Sequence, residues 1–177
     1  FGVKPESYAL TINNDGGTNS PRLAFEVSDG TALRGQSGNV FVIAPGLVTK
    51  GVWTHVAGTY DGATARLYVN GVEVAQSSGA TTISSGSTGF YVGRLTDDYF
   101  DGLIDDVRLW NTARSGPQIL ADKDTTLIGT EPGLAGYWPM DTSYVDASLR
   151  EITADATTNH NDLIMQFQAA IMAANPR

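Results

Sequence analysis

The apolar positions of this chain recur every second residue in short runs, and clusters of Gly, Asn, Asp and Ser separate the runs. Alternation of that kind marks half-buried strands. Tyr8, Leu10 and Ile12 form one run and Leu23, Phe25 and Val27 the next, with turn-forming residues from Asn13 to Ser20 between them. The pair predicts a hairpin that ends at Asp29-Gly30. Val40 and Val42, extended as far as Leu47, supply a third run, and residues 52–60 a strand closed by Asp61-Gly62.

The segment Arg66 to Val74 carries the sharpest local signal. Its two-residue Asn70-Gly71 turn predicts a type I′ hairpin. That turn sets Val69 opposite Val72 and Leu67 opposite Val74, all on one face, with Tyr68 and Glu73 on the other. Residues 77–89 read as a loop and Phe90 to Val92 as a short strand. A strand follows from Gly102 to Trp110. In it Ile104 and Val107 are three apart, so a bulge near Asp105 or Asp106 is needed to turn both inward.

Ser115-Gly116-Pro117-Gln118 is a capping-box pattern with proline at the helix start, and it predicts one short helix to Lys123. Leu134 to Met140 reads as a strand and residues 141–160 as polar and turn-like. Beyond Asp162 two periods compete. Leu163, Phe167, Ala170, Ile171 and Ala174 fit a helical stripe, whereas Leu163, Met165 and Phe167 fit an alternating strand.

Composition narrows the class. Hydrophobic residues make up 41% of the 177, enough for a core, while 20 glycines and 17% charged residues suit a sandwich with many turns. The net charge of -8 repels phosphate backbones, so nucleic acid is a poor partner. There is no cysteine, hence no disulfide or thiolate chemistry. No apolar run is long enough for membrane insertion, and no signal peptide is visible.

Two stretches carry a resemblance. Trp53-Thr54-His55-Val56-Ala57-Gly58-Thr59-Tyr60-Asp61-Gly62 leads into Leu67-Tyr68-Val69-Asn70-Gly71. Phe100-Asp101-Gly102-Leu103-Ile104-Asp105-Asp106-Val107-Arg108-Leu109-Trp110 leads into Ala113-Arg114-Ser115. In this order and spacing the chain resembles the laminin G-like, concanavalin A-like jelly-roll domains from Tyr8 to Leu120. The resemblance implies an all-β fold of two antiparallel sheets in a jelly-roll sandwich. It also implies an extracellular or cell-surface module that binds a glycan or an extracellular protein, often with calcium.

The ends differ from that pattern. Strands that normally precede the Tyr8 stretch are missing, while Leu134 to Asp141 with Asp155 to Leu163 is similar to the start of such a domain. Residues 1–130 are therefore expected to form one module. Residues 131–177 either complete the same sandwich or begin the next one. The second case would give head-to-tail self-association into a filament or tandem array.

Asp97, Asp98, Asp101, Asp105 and Asp106 are five carboxylates within ten residues. Without the resemblance they read as a solvated acidic loop. With it, Asp101, Asp105 and Asp106 become candidate calcium ligands, since a hard cation gathers several oxygens. Tyr91, Tyr99 and Phe100 flank the cluster. An exposed ring there, Tyr99 above all, could stack on a sugar whose hydroxyls Asp97 and Asp98 would bind, although most sandwich aromatics fill core. His55 and His160 lack partner motifs, and His55 reads as a structural histidine in a core-like strand. Glu6, Glu26, Glu73, Glu131 and Glu151 are scattered singly, whereas a retaining glycosidase needs two carboxyls ~5 Å apart. No catalytic residue is assigned, and the chain is expected not to be an enzyme.

Overall fold

The computed structural model describes residues 2–13, 22–30, 39–85, 88–95, 98–148 and 150–164. The sequence readings on Asn14 to Ser20, on Asp97 and on 165–177 lie outside them. The chain divides into two compact units, Phe1–Leu103 with Thr112–Thr126, and Ile104–Asn111 with Leu127–Arg177.

In the first unit the strands are β1 (Gly2–Lys4), β2 (Tyr8–Asn13), β3 (Arg22–Val27), β4 (Val40–Pro45), β5 (Val56–Tyr60), β6 (Thr64–Val69), β7 (Val72–Ser78), β8 (Tyr91–Val92), β9 (Arg94–Leu95) and β10 (Asp98–Tyr99). A helix, α1 (Gly116–Asp122), completes it. One sheet has the order β4-β3-β2-β1-β8 and a second the order β5-β6-β7, while β9 and β10 form a separate hairpin. Every pairing is antiparallel.

The alternating runs become one face of the larger sheet. Tyr8, Leu10 and Ile12 stand opposite Val27, Phe25 and Leu23, which stand opposite Val40, Val42 and Ala44. That face packs on Ala65, Leu67 and Val69 of the smaller sheet to make the main core. A fully buried Leu or Val contributes about 1.5–3 kcal/mol, so these side chains hold the two sheets together as a sandwich.

The Asn70-Gly71 turn forms as its sequence predicts, with φ of 51° and 82°, and Val69 pairs with Val72 and Tyr68 with Glu73. Beyond that pair the expected register does not hold. Leu67 stands opposite Ala75 rather than Val74, because a bulge inserts Val74 as an extra residue. The bulge disrupts the simple alternation: Leu67, Tyr68 and Val69 are all buried, and Val72 is exposed. The strand predicted over residues 52–60 begins only at Val56, and Val52 and Trp53 face solvent. Asn70 fixes that start. Its backbone N–H donates to the His55 carbonyl at 2.9 Å, and its Oδ1 accepts the His55 N–H at 3.1 Å.

Leu47 lies beyond the end of β4 and is exposed. The capping box at α1 is recognisable: the Ser115 N–H and hydroxyl both donate to Gln118 Oε1, at 2.9 and 3.0 Å. A short strand, β1, precedes the Tyr8 stretch.

The second unit contains β11 (Val107–Trp110), β12 (Leu134–Trp138), β13 (Tyr144–Val145), β14 (Glu151–Thr153) and β15 (Leu163–Ile164). β11 pairs with β12, and β13-β14-β15 form a three-stranded sheet. The expected Gly102 to Trp110 strand is thus shortened to four residues. No bulge sits at Asp105 or Asp106. Instead Asp106 takes a positive φ of 52°, and the irregularity falls where Trp110 pairs with Leu134 and Ala135 is skipped. The polar 141–160 stretch contains β13 and β14, and Leu163 enters a strand. Leu127, Leu134 and Tyr137 form this unit's small core, with Trp110 against it.

Candidate functional site

The hairpin of β9 and β10 sets Arg94 opposite Tyr99 and Leu95 opposite Asp98. The Phe100 N–H donates to the Gly93 carbonyl at 2.8 Å and closes its open end. Tyr91, on the preceding strand, reaches the same arginine. The Arg94 guanidinium carbon is 5.7 Å from the ring centroid of Tyr91 and 5.7 Å from that of Tyr99. Such contacts contribute about 0.5–1 kcal/mol each at exposed sites, enough to favour this placement of the two rings. The rings remain 40% and 45% exposed, so they form a surface held by one cation rather than part of the core. Phe100, grouped with them in the sequence, does a different job: its ring covers Gly102, where a Cβ would come within 2.7 Å of it.

The acidic candidates divide between the units. Asp101 is exposed in the first unit and Asp98 lies on β10, whereas Asp105 and Asp106 belong to the second. Asp106 is engaged. Its Oδ1 accepts the Tyr137 hydroxyl at 2.7 Å and lies 3.4 Å from Arg108 Nη2, and that guanidinium stands 5.6 Å over the Tyr137 ring. Its backbone N–H donates to Asp105 Oδ1 at 3.0 Å. Calcium takes six to eight oxygens. Among the described residues no three His, Cys, Asp or Glu side chains gather to hold a metal, and a cation already stands beside Asp106. Of the three candidate ligands, Asp106 therefore already has its Oδ1 engaged by a hydroxyl and a guanidinium.

His55 lies just ahead of β5 and serves the Asn70 turn through its backbone, while His160 is exposed with a φ of 52°. Several glutamates have local partners. Glu26 accepts from Asn39, Glu131 accepts the Ile128 and Gly129 N–H groups, and Glu151 accepts from Ser143.

Sequence reasoning missed Asp155. This carboxylate is 4% exposed. Its Oδ1 accepts the N–H groups of Tyr137 and Thr157, both at 2.9 Å. Its Oδ2 accepts the Thr157 hydroxyl at 2.9 Å and the Asn161 N–H at 3.0 Å. Burial alone would raise its pKa, but these donors together hold it below the ordinary carboxylate value. The available signal was Asp155-Ala156-Thr157, an Asx-turn pattern inside a stretch read as polar and turn-like and as similar to the start of a domain. The same loop bonds the outer edge of β12: Ala156 N–H donates to the Tyr137 carbonyl at 2.7 Å, and Asn159 Nδ2 to that of Ala135 at 2.9 Å.

A laminin G-type family model, described as the concanavalin A-like lectin/glucanases superfamily, matches residues 2–120. Among curated proteins the chain is similar to pappalysin-1 of Mus musculus, at 30% identity over 127 residues, which is 68% of this chain and 8% of that protein. The chain thus spans under a tenth of that relative's length. Among solved structures it is similar to residues 221–444 of an S-layer domain-containing protein from Clostridium thermocellum ATCC 27405. The identity is 26%, the coverage 67% of this chain and 64% of that one, and the TM-score 0.35.

Proposed function

This chain belongs to the concanavalin A-like lectin/glucanases superfamily, and we propose that it is a non-enzymatic extracellular module that binds glycan through Tyr91, Arg94 and Tyr99. The observation that carries this reading is the pair of exposed tyrosine rings fixed by one arginine. A ring held in place loses little freedom when a sugar stacks on it, so less of the contact energy is lost to ordering. The neighbouring Asp101 is exposed and offers an acceptor for sugar hydroxyls. With Asp97 and Asp98 it makes this stretch of sequence acidic, and the whole chain carries -8, which favours a neutral glycan over a sulfated or carboxylated one. Calcium is not part of this reading, because Asp106 is already partnered by Arg108 and the Tyr137 hydroxyl.

The alternative of a structural repeat that self-associates head to tail draws less support. The segment from Leu134 already has partners within its own unit: β12 pairs with β11, and its outer edge is bonded by residues 155–159.

Glycan-array screening followed by calorimetric titration tests the proposal. Tyr91→Ala combined with Tyr99→Ala should weaken binding of the selected glycan at least about tenfold in a chain that remains folded, since the loss of two contacts of about 0.5–1 kcal/mol each is a small part of a domain's stability. Undiminished binding by that variant would overturn the assignment of the site.

A further inference from the structure

The turn between β6 and β7 contains the one Asn-Gly sequence in the chain, Asn70-Gly71. In Asn-Gly the following backbone nitrogen can reach the asparagine side-chain carbon with little obstruction, because glycine carries no side chain. Asn70 is exposed. Its Oδ1 accepts the His55 N–H at 3.1 Å, which polarises the carboxamide but also clamps it. Gly71, by contrast, is covered. A Cβ placed on it would stand 2.7 Å from Leu120 Cδ1 and 2.9 Å from Leu120 Cα. Gly71 is therefore packed against α1 while the turn is closed.

We propose that Asn70 is a site of spontaneous deamidation, and that its rate is set by how often the turn opens away from His55 and Leu120. In the reaction the Gly71 nitrogen gives up its proton and bonds to Asn70 Cγ. The Cγ–Nδ2 bond breaks, and ammonia leaves. Water then opens the resulting succinimide at one carbonyl or the other, giving aspartate or isoaspartate. The two products have different consequences here. Aspartate keeps an oxygen that can accept the His55 N–H. Isoaspartate routes the main chain through the former side chain and adds a methylene to a two-residue turn whose geometry leaves no slack. That product loosens the Val69–Val72 pairing and the contact of Gly71 with Leu120. The modification acts as a slow clock on the hairpin at the centre of the smaller sheet's connectivity.

The experiment ages the intact chain in mildly alkaline buffer, with and without denaturant, and maps peptides by mass spectrometry. The mass gain from exchanging –NH2 for –OH should appear first at Asn70, faster in denaturant than in the native chain. Isoaspartyl methyltransferase should label the product. Leu120→Ala, a change at a half-exposed position, should raise the native rate about threefold or more by uncovering Gly71. Aged wild type should lose melting temperature that a fresh Asn70→Asp chain keeps. First modification at Asn39, Asn111 or Asn159, or equal rates in native and denatured chains, would overturn the proposal. So would a Leu120→Ala rate identical to wild type.

Discussion

Gly58 and Phe25 share one volume between the two sheets: a Cβ on Gly58 would stand 2.3 Å from Cδ2 of the Phe25 ring. The ring of β3 fills the space that β5 leaves empty. Neighbours Val56 and Tyr60, two residues to either side of Gly58, pack against the same core. Gly58→Ala should therefore cost about 1–3 kcal/mol by overpacking. Urea unfolding measures it, and combining Gly58→Ala with Phe25→Leu should recover part of the loss. Strict additivity of the two changes would contradict the shared volume.

Asn70 supplies both a positive φ and a side-chain acceptor for the His55 N–H. Asn70→Ala loses both and should cost about 1–2 kcal/mol. Asn70→Asp keeps the acceptor and should stay close to wild type. Equal stability of the alanine and aspartate variants would show that the clamp on His55 contributes nothing.

How far the sequence revealed this molecule depended on the range of the interactions. The Tyr8, Leu23 and Val40 runs could be read because period-two alternation is a local consequence of one buried face. The capping box at Ser115 and the Asn70-Gly71 turn were equally local. The Leu67–Ala75 register could not be read, since a bulge at Val74 leaves no mark on the hydrophobic pattern. Asp106 was legible as a carboxylate but not as a partner of Tyr137, 31 residues away. The tyrosine surface was half legible. Tyr99 stood out beside the aspartates, whereas Arg94 became visible only when β9 and β10 paired. Asp155 was hidden because its donors come from residues 137, 157 and 161, and only one of those is close in sequence.

Tyr137 offers a test at alkaline pH. Burial, then the hydrogen bond to Asp106 and that group's negative charge, push its pKa above the ordinary 10.0. The folded state thus favours the neutral phenol. Its contribution to stability is complete below pH 10.0 and is lost as pH rises through the folded value. Absorbance titration should show a tyrosine that ionises late and that is missing from the titration of Tyr137→Phe, so that the difference between the two isolates it. The same variant should lose about 1–2 kcal/mol at neutral pH, because Asp106 loses a hydroxyl donor. A Tyr137→Phe difference spectrum centred on an ordinary tyrosine pKa would refute the role given to Asp106.

Asp155 gives the complementary test in acid, and it bears on association as well. Its carboxylate is buried, and its donors outweigh that burial, so its folded pKa lies below the ordinary 3.8. A depressed carboxylate stabilises the fold above its unfolded pKa, and that stability is lost as pH falls through the folded value. Asp155→Asn replaces one acceptor oxygen with an –NH2 group. If Oδ1 keeps the Tyr137 and Thr157 N–H groups, the new amide faces the Asn161 N–H, donor against donor. Hydrogen bonds to charged groups contribute about 1.5–3 kcal/mol, so the variant should lose about that much at neutral pH, and the gap should narrow below pH 3.8. The loop that Asp155 organises also bonds the outer edge of β12 at Tyr137 and Ala135. Loosening it should expose a strand edge of mostly apolar residues, and such edges recruit other chains. Light scattering on Asp155→Asn should then show stronger concentration-dependent association than wild type. A variant as stable as wild type and no more associated would show that the loop neither stabilises the second unit nor guards its edge.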